Sequence, residues 1–104
     1  MKKRTNVKND IQARRLDRLY GALLSLKTKD ECAKFLRDLC TTAELQALAE
    51  RFAVAEQVMK ERPYREIAED IKTSTTTVTR VAHWLHHGRG GYPLIISRMH
   101  RLKT

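Results

Sequence analysis

This 104-residue sequence lacks long apolar runs, alternating apolar and polar stretches, and internal repeats. Without a run of about 20 apolar residues, no segment is a candidate membrane span, and no apolar stretch follows the basic N-terminus to form a signal peptide. Without alternation, no segment is predicted as a strand. We therefore expect an all-α protein of about six helices that has no membrane partner.

Cysteine is also scarce, with only Cys32 and Cys40 in the chain. Both fall in a segment of helical spacing, where we expect them to be small buried apolar side chains. Positions eight apart on one straight helix differ by about 12 Å of rise, which is too far for a disulfide. Free thiols of this kind indicate a reducing compartment, so the predicted location is the cytoplasm.

The residue patterns of an enzyme or a metal protein are missing too. There is no Gly-rich phosphate loop, no Ser–His–Asp order and no pair of carboxylates placed for catalysis, so no catalytic residue or cofactor is predicted. His83 and His87 lie four residues apart, a spacing that can chelate a metal, and His86 lies between them. Because no acidic residue follows Asp70, we expect surface histidines near a helix end rather than a metal site.

Acidic residues are unevenly distributed along the chain, and their distribution points to a partner. The net charge is +9: residues 1–20 carry seven Lys or Arg against two Asp or Glu, residues 21–60 carry six of each, and residues 61–104 carry eight against four. After Asp70 there are six Lys or Arg, four histidines and no acidic side chain. A neutral centre between two basic ends indicates an association region flanked by surfaces that meet a polyanion.

The expected organisation is a disordered basic arm over residues 1–9 and a single helical domain over residues 10–104. Thr41 and Glu44 form a capping-box signature at the start of the longest helix. Pro63 ends this helix and suits the first position of the next one. The long helix has apolar residues on two sides: a seam of Leu45, Leu48, Phe52, Ala55 and Met59, and a second stripe of Val54 and Val58. A second subunit can cover one of these sides, so a homodimer is predicted.

Residues 64–85 read as two short helices joined by a tight turn, the helix-turn-helix arrangement that places a helix in the major groove of DNA. The residues expected to face inward are Ile67, Ala68, Ile71, Val78 and Val81. The opposite faces carry hydroxyl, guanidinium, ammonium and imidazole groups, which donate to phosphates and base edges. The side chains predicted to contact double-stranded DNA are Arg65, Lys72, Ser74, Thr75, Thr76, Thr79, Arg80 and His83.

The turn of this motif departs from the commonest form, because Lys72 stands where glycine is usual. A non-Gly residue at positive φ costs on the order of 1 kcal/mol. The five threonines within residues 73–79 are also poor helix formers. We therefore expect the reading head to be the least stable part of the fold. The alternative interpretations are a plain helical hairpin, a protein-interaction module, and a replication-origin or nucleoid DNA-binding protein.

Three segments of the chain resemble a known family: REIAEDIKTSTTTVTRV, ELQALAERFAVAEQVMKE and GRGGY. They are similar to the YerC/YecD group of Trp-repressor-related proteins, over about residues 12–100. The resemblance implies an intertwined, all-helical homodimer with two reading heads, acting in the bacterial nucleoid as a transcriptional regulator and most simply as a repressor. Two recognition helices about 34 Å apart would read an inverted repeat.

The resemblance also implies a candidate effector site. In Trp repressor, one arginine on the long helix and one on the recognition helix hold tryptophan, and the matching residues here are Arg51 and Arg80. Two guanidiniums can bind a carboxylate by charge-assisted hydrogen bonds. Val81 and Trp84, however, stand where the tryptophan-binding protein has Gly and Ser, and Trp84 can fill the space of a free indole. We therefore expect that the protein does not use tryptophan, and the sequence leaves open whether it has another small-molecule effector.

Overall fold

The computed structural model of the chain describes the backbone of residues 7–103 and the side chains of residues 7–100. Within these residues the chain forms six helices and no strand, which confirms the all-α prediction. The helices are α1 (Val7–Leu24), α2 (Lys29–Leu39), α3 (Thr42–Met59), α4 (Tyr64–Ile71), α5 (Thr75–His87) and α6 (Gly91–Lys103). None of these helices is long and apolar enough to cross a bilayer.

Contacts divide the chain into two compact units, one ending at Leu39 and the other beginning at Cys40. A single domain over residues 10–104 therefore stays a prediction. Helix α1 begins at Val7, so the last three residues of the predicted N-terminal arm are helical, and residues 1–6 lie outside the described residues. Asp10 lies in the first turn of α1, where a carboxylate complements the positive end of the helix dipole.

The first unit contains α1 and α2, and none of its described residues is buried. Cys32, on α2, is free and only half-buried, as is Cys40 just after the end of this helix. The absence of a disulfide agrees with the prediction, but full burial of the two thiols was wrong. Cys32 is not fully buried because the first unit does not enclose a core of its own, and Cys40 lies after the end of α2, outside the buried core of the second unit.

Side-chain caps begin both α2 and α3, and the cap of α3 confirms the predicted capping box. At α3, the Glu44 N–H donates to Thr41 Oγ1 at 3.0 Å and the Thr41 N–H donates to Glu44 Oε1 at 2.8 Å, which is the complete capping box. At α2, the Glu31 N–H donates to Thr28 Oγ1 at 3.1 Å, while Glu31 Oε1 accepts from the Lys27 N–H at 2.8 Å. These caps satisfy N–H groups that a helix start leaves without partners.

The capping box of α3 predicts a pH dependence of stability. Hydrogen bonds from the backbone and side chain of Thr41 lower the pKa of Glu44. A lowered folded-state pKa stabilises the fold above the unfolded value of about 4.3, and this stabilisation is lost as the pH falls through the folded pKa. Glu44→Gln keeps the capping geometry, so it should lose less stability than wild type between about pH 6 and pH 3 in urea titrations. Equal losses in the two proteins would contradict this role of the carboxylate.

The hydrophobic core of the second unit lies where α3 packs against α4, α5 and α6. Its buried residues are Val54, Ala55, Val58, Ile67, Ala68, Val78, Val81, Ala82, Leu85 and Ile96. Ile71 is half-buried against this core. All five residues that the sequence predicted to face inward from the helix-turn-helix therefore do so.

Helix α3 turns parts of both predicted apolar stripes to this core. Val54 and Val58, predicted as a secondary stripe, are buried. Of the predicted seam, Ala55 is buried and Phe52 packs half-buried against the core, whereas Leu48 and Met59 are exposed. The small side chains at the contact allow α4, α5 and α6 to approach α3 closely.

A residue with positive φ that is not glycine follows each of α3 and α4: Glu61 (φ 60°), one residue after the C-cap of α3, and Lys72 (φ 64°), the C-cap of α4. At the end of α4, the N–H groups of Lys72 and Thr73 both donate to the Ala68 carbonyl oxygen, which closes the helix. The sequence predicted this conformation at Lys72 but not at Glu61. Pro63 is the N-cap of α4, with φ −59° and ψ 138°. The extended ψ places this residue outside the helix, so the prediction that Pro63 is the first helical residue was wrong by one position.

Lys72→Gly is expected to stabilise the protein by roughly 0.5–1 kcal/mol, because glycine adopts positive φ without the steric cost of a Cβ atom. The measurement is the free energy of unfolding in urea. Lys60→Gly is the matched control, since Lys60 caps α3 with a negative φ of −83° and gains nothing from glycine. A Lys72→Gly variant no more stable than Lys60→Gly would show that the turn is not strained.

Candidate nucleic-acid interface

Helix α5 is anchored to the core by one apolar face. Val78, Val81, Ala82 and Leu85 are buried on it, and α5 packs against α3, α4 and α6. Ser74 caps its N-terminus, because Ser74 Oγ accepts a hydrogen bond from the Thr77 N–H at 3.1 Å. The burial of one face fixes which residues α5 presents on the other.

The exposed face of α5 carries the residues that the sequence assigned to DNA. Thr75, Thr76, Thr79, Arg80 and His83 are all exposed on this helix. The remaining predicted contacts, on α4 and in the turn between the helices, are exposed as well: Arg65, Lys72 and Ser74. All eight predicted side chains are therefore exposed on the helix-turn-helix of the second unit.

The turn between α4 and α5 is tied to the long helix. Thr73 Oγ1 donates a hydrogen bond to Glu50 Oε2 on α3 at 3.3 Å. Helix α4 is held in a second way, because the Arg62 guanidinium contacts Gln57 Oε1 at 3.1 Å, Asp70 and, at 3.7 Å, Glu66. The hydrogen bond with Asp70 raises the pKa of Arg62 above its ordinary value. These contacts position the helix-turn-helix on α3.

A cleft of about 440 Å³ lies in the second unit beside α5. Its lining residues are Ala47, Glu50, Arg51, Thr77, Arg80, Val81, Trp84 and Tyr92. All four residues predicted for an effector site therefore line this one cleft. Trp84 is 60 % exposed, and its ring meets His83 edge-on with 5.0 Å between centroids.

Four of the eight residues that line this cleft were not predicted from the sequence: Ala47, Glu50, Thr77 and Tyr92. Glu50 is the most important of these four, because it brings a carboxylate beside the two guanidiniums. Helical spacing offers a signal for two of the four, because Ala47 precedes Arg51 by one turn of α3 and Thr77 precedes Arg80 by nearly one turn of α5. Glu50 is next to Arg51 in the sequence, a spacing that does not predict a shared face. Tyr92 is the second residue of α6, and only tertiary packing brings it here.

The glycine-rich turn after α5 also has a close backbone contact. The Gly88 N–H donates to the Trp84 carbonyl oxygen at 2.8 Å, and a Cβ atom on Gly88 would lie only 2.4 Å from that oxygen. Gly90 has a φ of 83°. Glycine at these two positions therefore lets the chain turn from α5 into α6. The turn connects the end of α5, where Trp84 lies, to the start of α6, where Tyr92 lies.

The histidines of α5 lie on its exposed side. The rings of His83 and His87 have centroids 5.1 Å apart. Among the residues that the structure describes, no three His, Cys, Asp or Glu side chains are grouped so that they can hold a metal ion. The three histidine side chains are exposed, as the sequence predicted, while the expectation that they bind no metal stays a prediction.

An all-helical unit that exposes the second helix of a helix-turn-helix belongs to the class of DNA-binding regulators. Residues 14–100 match the model of the Trp repressor protein family. The chain belongs to this family, which is a regulatory, DNA-binding one. The resemblance predicted from the sequence is therefore confirmed.

Relatives of known sequence and structure support this assignment. The chain is 35% identical over 94 residues to the uncharacterized protein YerC of Bacillus subtilis, covering 90% of each chain. The crystal structure of a TrpR-like protein from Eubacterium eligens has a TM-score of 0.81 at 37% identity, covering 88% of this chain and 94% of that one. A candidate Trp repressor from Staphylococcus aureus also has a TM-score of 0.81, at 33% identity, with coverage of 92% and 96%.

Proposed function

We propose that the protein is a sequence-specific transcriptional repressor that inserts α5 into the major groove of its operator. The exposed face of α5 carries this proposal, because its hydroxyl, guanidinium and imidazole groups point away from a core that fixes the helix. No acidic residue follows Asp70 in the sequence, so nothing on α5 or after it repels a phosphate backbone. Membership of a DNA-binding family supports the same conclusion.

Two kinds of contact are expected at this surface. Arg65 and Lys72, at the edge of the motif, would neutralise phosphates and make affinity depend steeply on salt. Residues along α5, above all Thr76 and Arg80, would reach base edges. Phosphate contacts set the position of the protein on the duplex, and base contacts select the sequence.

The active form would be a homodimer that binds an inverted repeat, with its recognition helices about 34 Å apart. Exposed apolar side chains support this, because a monomer leaves large apolar residues of α1 and α3 in water. These residues include Leu16, Tyr20, Leu23, Leu24, Leu48 and Met59. A second subunit that covers them would stabilise a chain of this size. Light scattering on the purified protein measures its mass directly, and a monomer at micromolar concentration would exclude this arrangement.

The cleft would hold a small anionic effector other than tryptophan. Arg51 and Arg80 supply two guanidiniums for an acidic group, while Val81 and Trp84 restrict the room for a further indole. Calorimetric titration with tryptophan should therefore give no saturable heat. Stoichiometric binding of tryptophan would contradict the proposed selectivity.

The experiment that tests the function is selection of bound duplexes from a random pool, at low and at physiological salt. We expect enrichment of an inverted repeat with half-sites one helical turn apart. Binding to all duplexes without enrichment would instead indicate a nucleoid protein. No binding at low salt would exclude DNA as the partner and leave the protein-interaction module.

A further inference from the structure

Most hydroxyl groups of the reading head are already used within the chain. Thr73 Oγ1 donates to Glu50 on α3, and Ser74 Oγ accepts from the Thr77 N–H and lies 3.1 Å from Thr77 Oγ1. Thr79 Oγ1 donates to the Thr75 carbonyl oxygen one turn earlier at 2.9 Å. A hydroxyl has one proton, so a group that donates within its own helix cannot donate to DNA without breaking that bond.

Thr75 and Thr76 differ from the other threonines of this segment. Neither hydroxyl forms a hydrogen bond to any residue that the structure describes, and both side chains are exposed. They are the first two residues of α5, the end of a recognition helix that contacts base edges. Their hydroxyls are therefore free to donate to or accept from a base.

Thr79 presents a different chemical group. Its hydroxyl is turned back to its own helix, while the side chain as a whole is exposed. Because the proton of this hydroxyl is used within the helix, Thr79 cannot donate it to a base, and its methyl group is the part of the side chain that makes an apolar contact, on the same face as Thr75 and Thr76. In the major groove, the apolar feature that a threonine methyl matches is the C5-methyl group of thymine.

We infer that the threonines of α5 read DNA by two different chemistries: Thr76, with Thr75, by its hydroxyl, and Thr79 by its methyl group against a thymine methyl. This inference rests on the proposed function and names the groups that give it specificity. It also changes the role of Thr79 from the hydrogen-bond donor that the sequence suggested to an apolar contact.

The first test compares the same chemical change at two positions of one helix. Thr→Val replaces a hydroxyl by a methyl group and keeps the other methyl, and the two residues have similar helix propensities. On the duplex selected with wild type, Thr76→Val should lose preference at one base pair of each half-site. Thr79→Val should keep the preference of wild type at every position. Helix content and melting temperature of both variants show whether each is folded.

The second test removes the methyl group from either side of the contact. Replacing thymines of the selected duplex one at a time by deoxyuridine deletes only the C5-methyl group. Deoxyuridine at the contacted thymine of one half-site should weaken wild-type binding by about fourfold, the effect of losing one buried methyl group. Thr79→Ser removes the methyl group from both subunits of the proposed dimer, so its binding to the unmodified duplex should fall by roughly fifteenfold and be insensitive to that deoxyuridine.

The outcomes separate this inference from the proposed function. Failure of the wild-type protein to enrich any duplex would remove the proposed function itself. Enrichment followed by indifference to every deoxyuridine would overturn the methyl contact alone. A Thr79→Val variant that loses base preference as Thr76→Val does would show that the Thr79 hydroxyl itself contacts DNA, and would overturn the division between the two threonines.

Discussion

Arg80→Ala should weaken binding to the selected operator by roughly ten- to a hundredfold and relax selection at one position, as loss of a base contact does. Arg80 is exposed on α5, one residue beyond Thr79, and takes part in no salt bridge among the described residues. Its guanidinium is therefore available for a bidentate contact with a guanine edge. The measurement is the dissociation constant for the operator and for variants of it at each position.

The salt dependence of binding distinguishes a base contact from a phosphate contact. Lys72→Gln, at the end of α4, should weaken binding to operator and random duplex alike and reduce the magnitude of the salt slope by about 1 for each subunit of the proposed dimer. Arg80→Ala should instead lose more affinity for the operator than for random DNA. An Arg80→Ala variant that loses affinity uniformly would assign Arg80 to the phosphate backbone.

Arg80 lies both on the exposed face of α5 and in the cleft, and Arg51→Ala is the control that separates these two roles. Both arginines line the cleft, but Arg51 is on α3, outside the helix-turn-helix. In protein without effector, Arg51→Ala should leave the operator affinity unchanged. Equal losses from Arg51→Ala and Arg80→Ala would mean that Arg80 acts on DNA through the cleft, by holding the motif in position.

The sequence predicted best those features that depend on a few neighbouring residues. The capping box of Thr41 and Glu44 and the left-handed residue Lys72 were predicted correctly, because each follows from spacing within one turn of chain. The inward residues of the helix-turn-helix were also predictable. Helical periodicity separates Ile67 and Val78 from the polar residues beside them.

The features that the sequence did not predict depend on packing between helices. Helix α3 has two apolar stripes, and either of them could pack in a core. The sequence therefore did not predict that Val54 would be buried and Leu48 exposed. Glu50 had no visible role until the fold placed it beside Thr73 and in the cleft. The difference between the Thr76 and Thr79 hydroxyls depends on a hydrogen bond that composition does not reveal.

Ile67→Ala should destabilise the protein by about 2–5 kcal/mol, the cost of a cavity at a closely packed site. Ile67 is completely buried and belongs to α4, a helix of 8 residues. So short a helix has little stability of its own and depends on its packing. Since native domains are stable by only about 5–15 kcal/mol, this one change should unfold a large share of the reading head at 37 °C. Urea unfolding followed by circular dichroism measures the loss.

Ile67→Val is the graded control, because it removes one methylene group from the same site and should cost about 0.5–1.5 kcal/mol. If packing of α4 supports DNA binding, operator affinity should fall in the same order as stability, with a small loss in Ile67→Val and a larger loss in Ile67→Ala. Raising the protein concentration would not restore the operator affinity. Ile67 is buried inside the second unit, so its loss is not a loss of contacts between subunits. Equal stability of the two variants would mean that the core relaxes around Ile67, and that α4 is held instead by Arg62 and its partners.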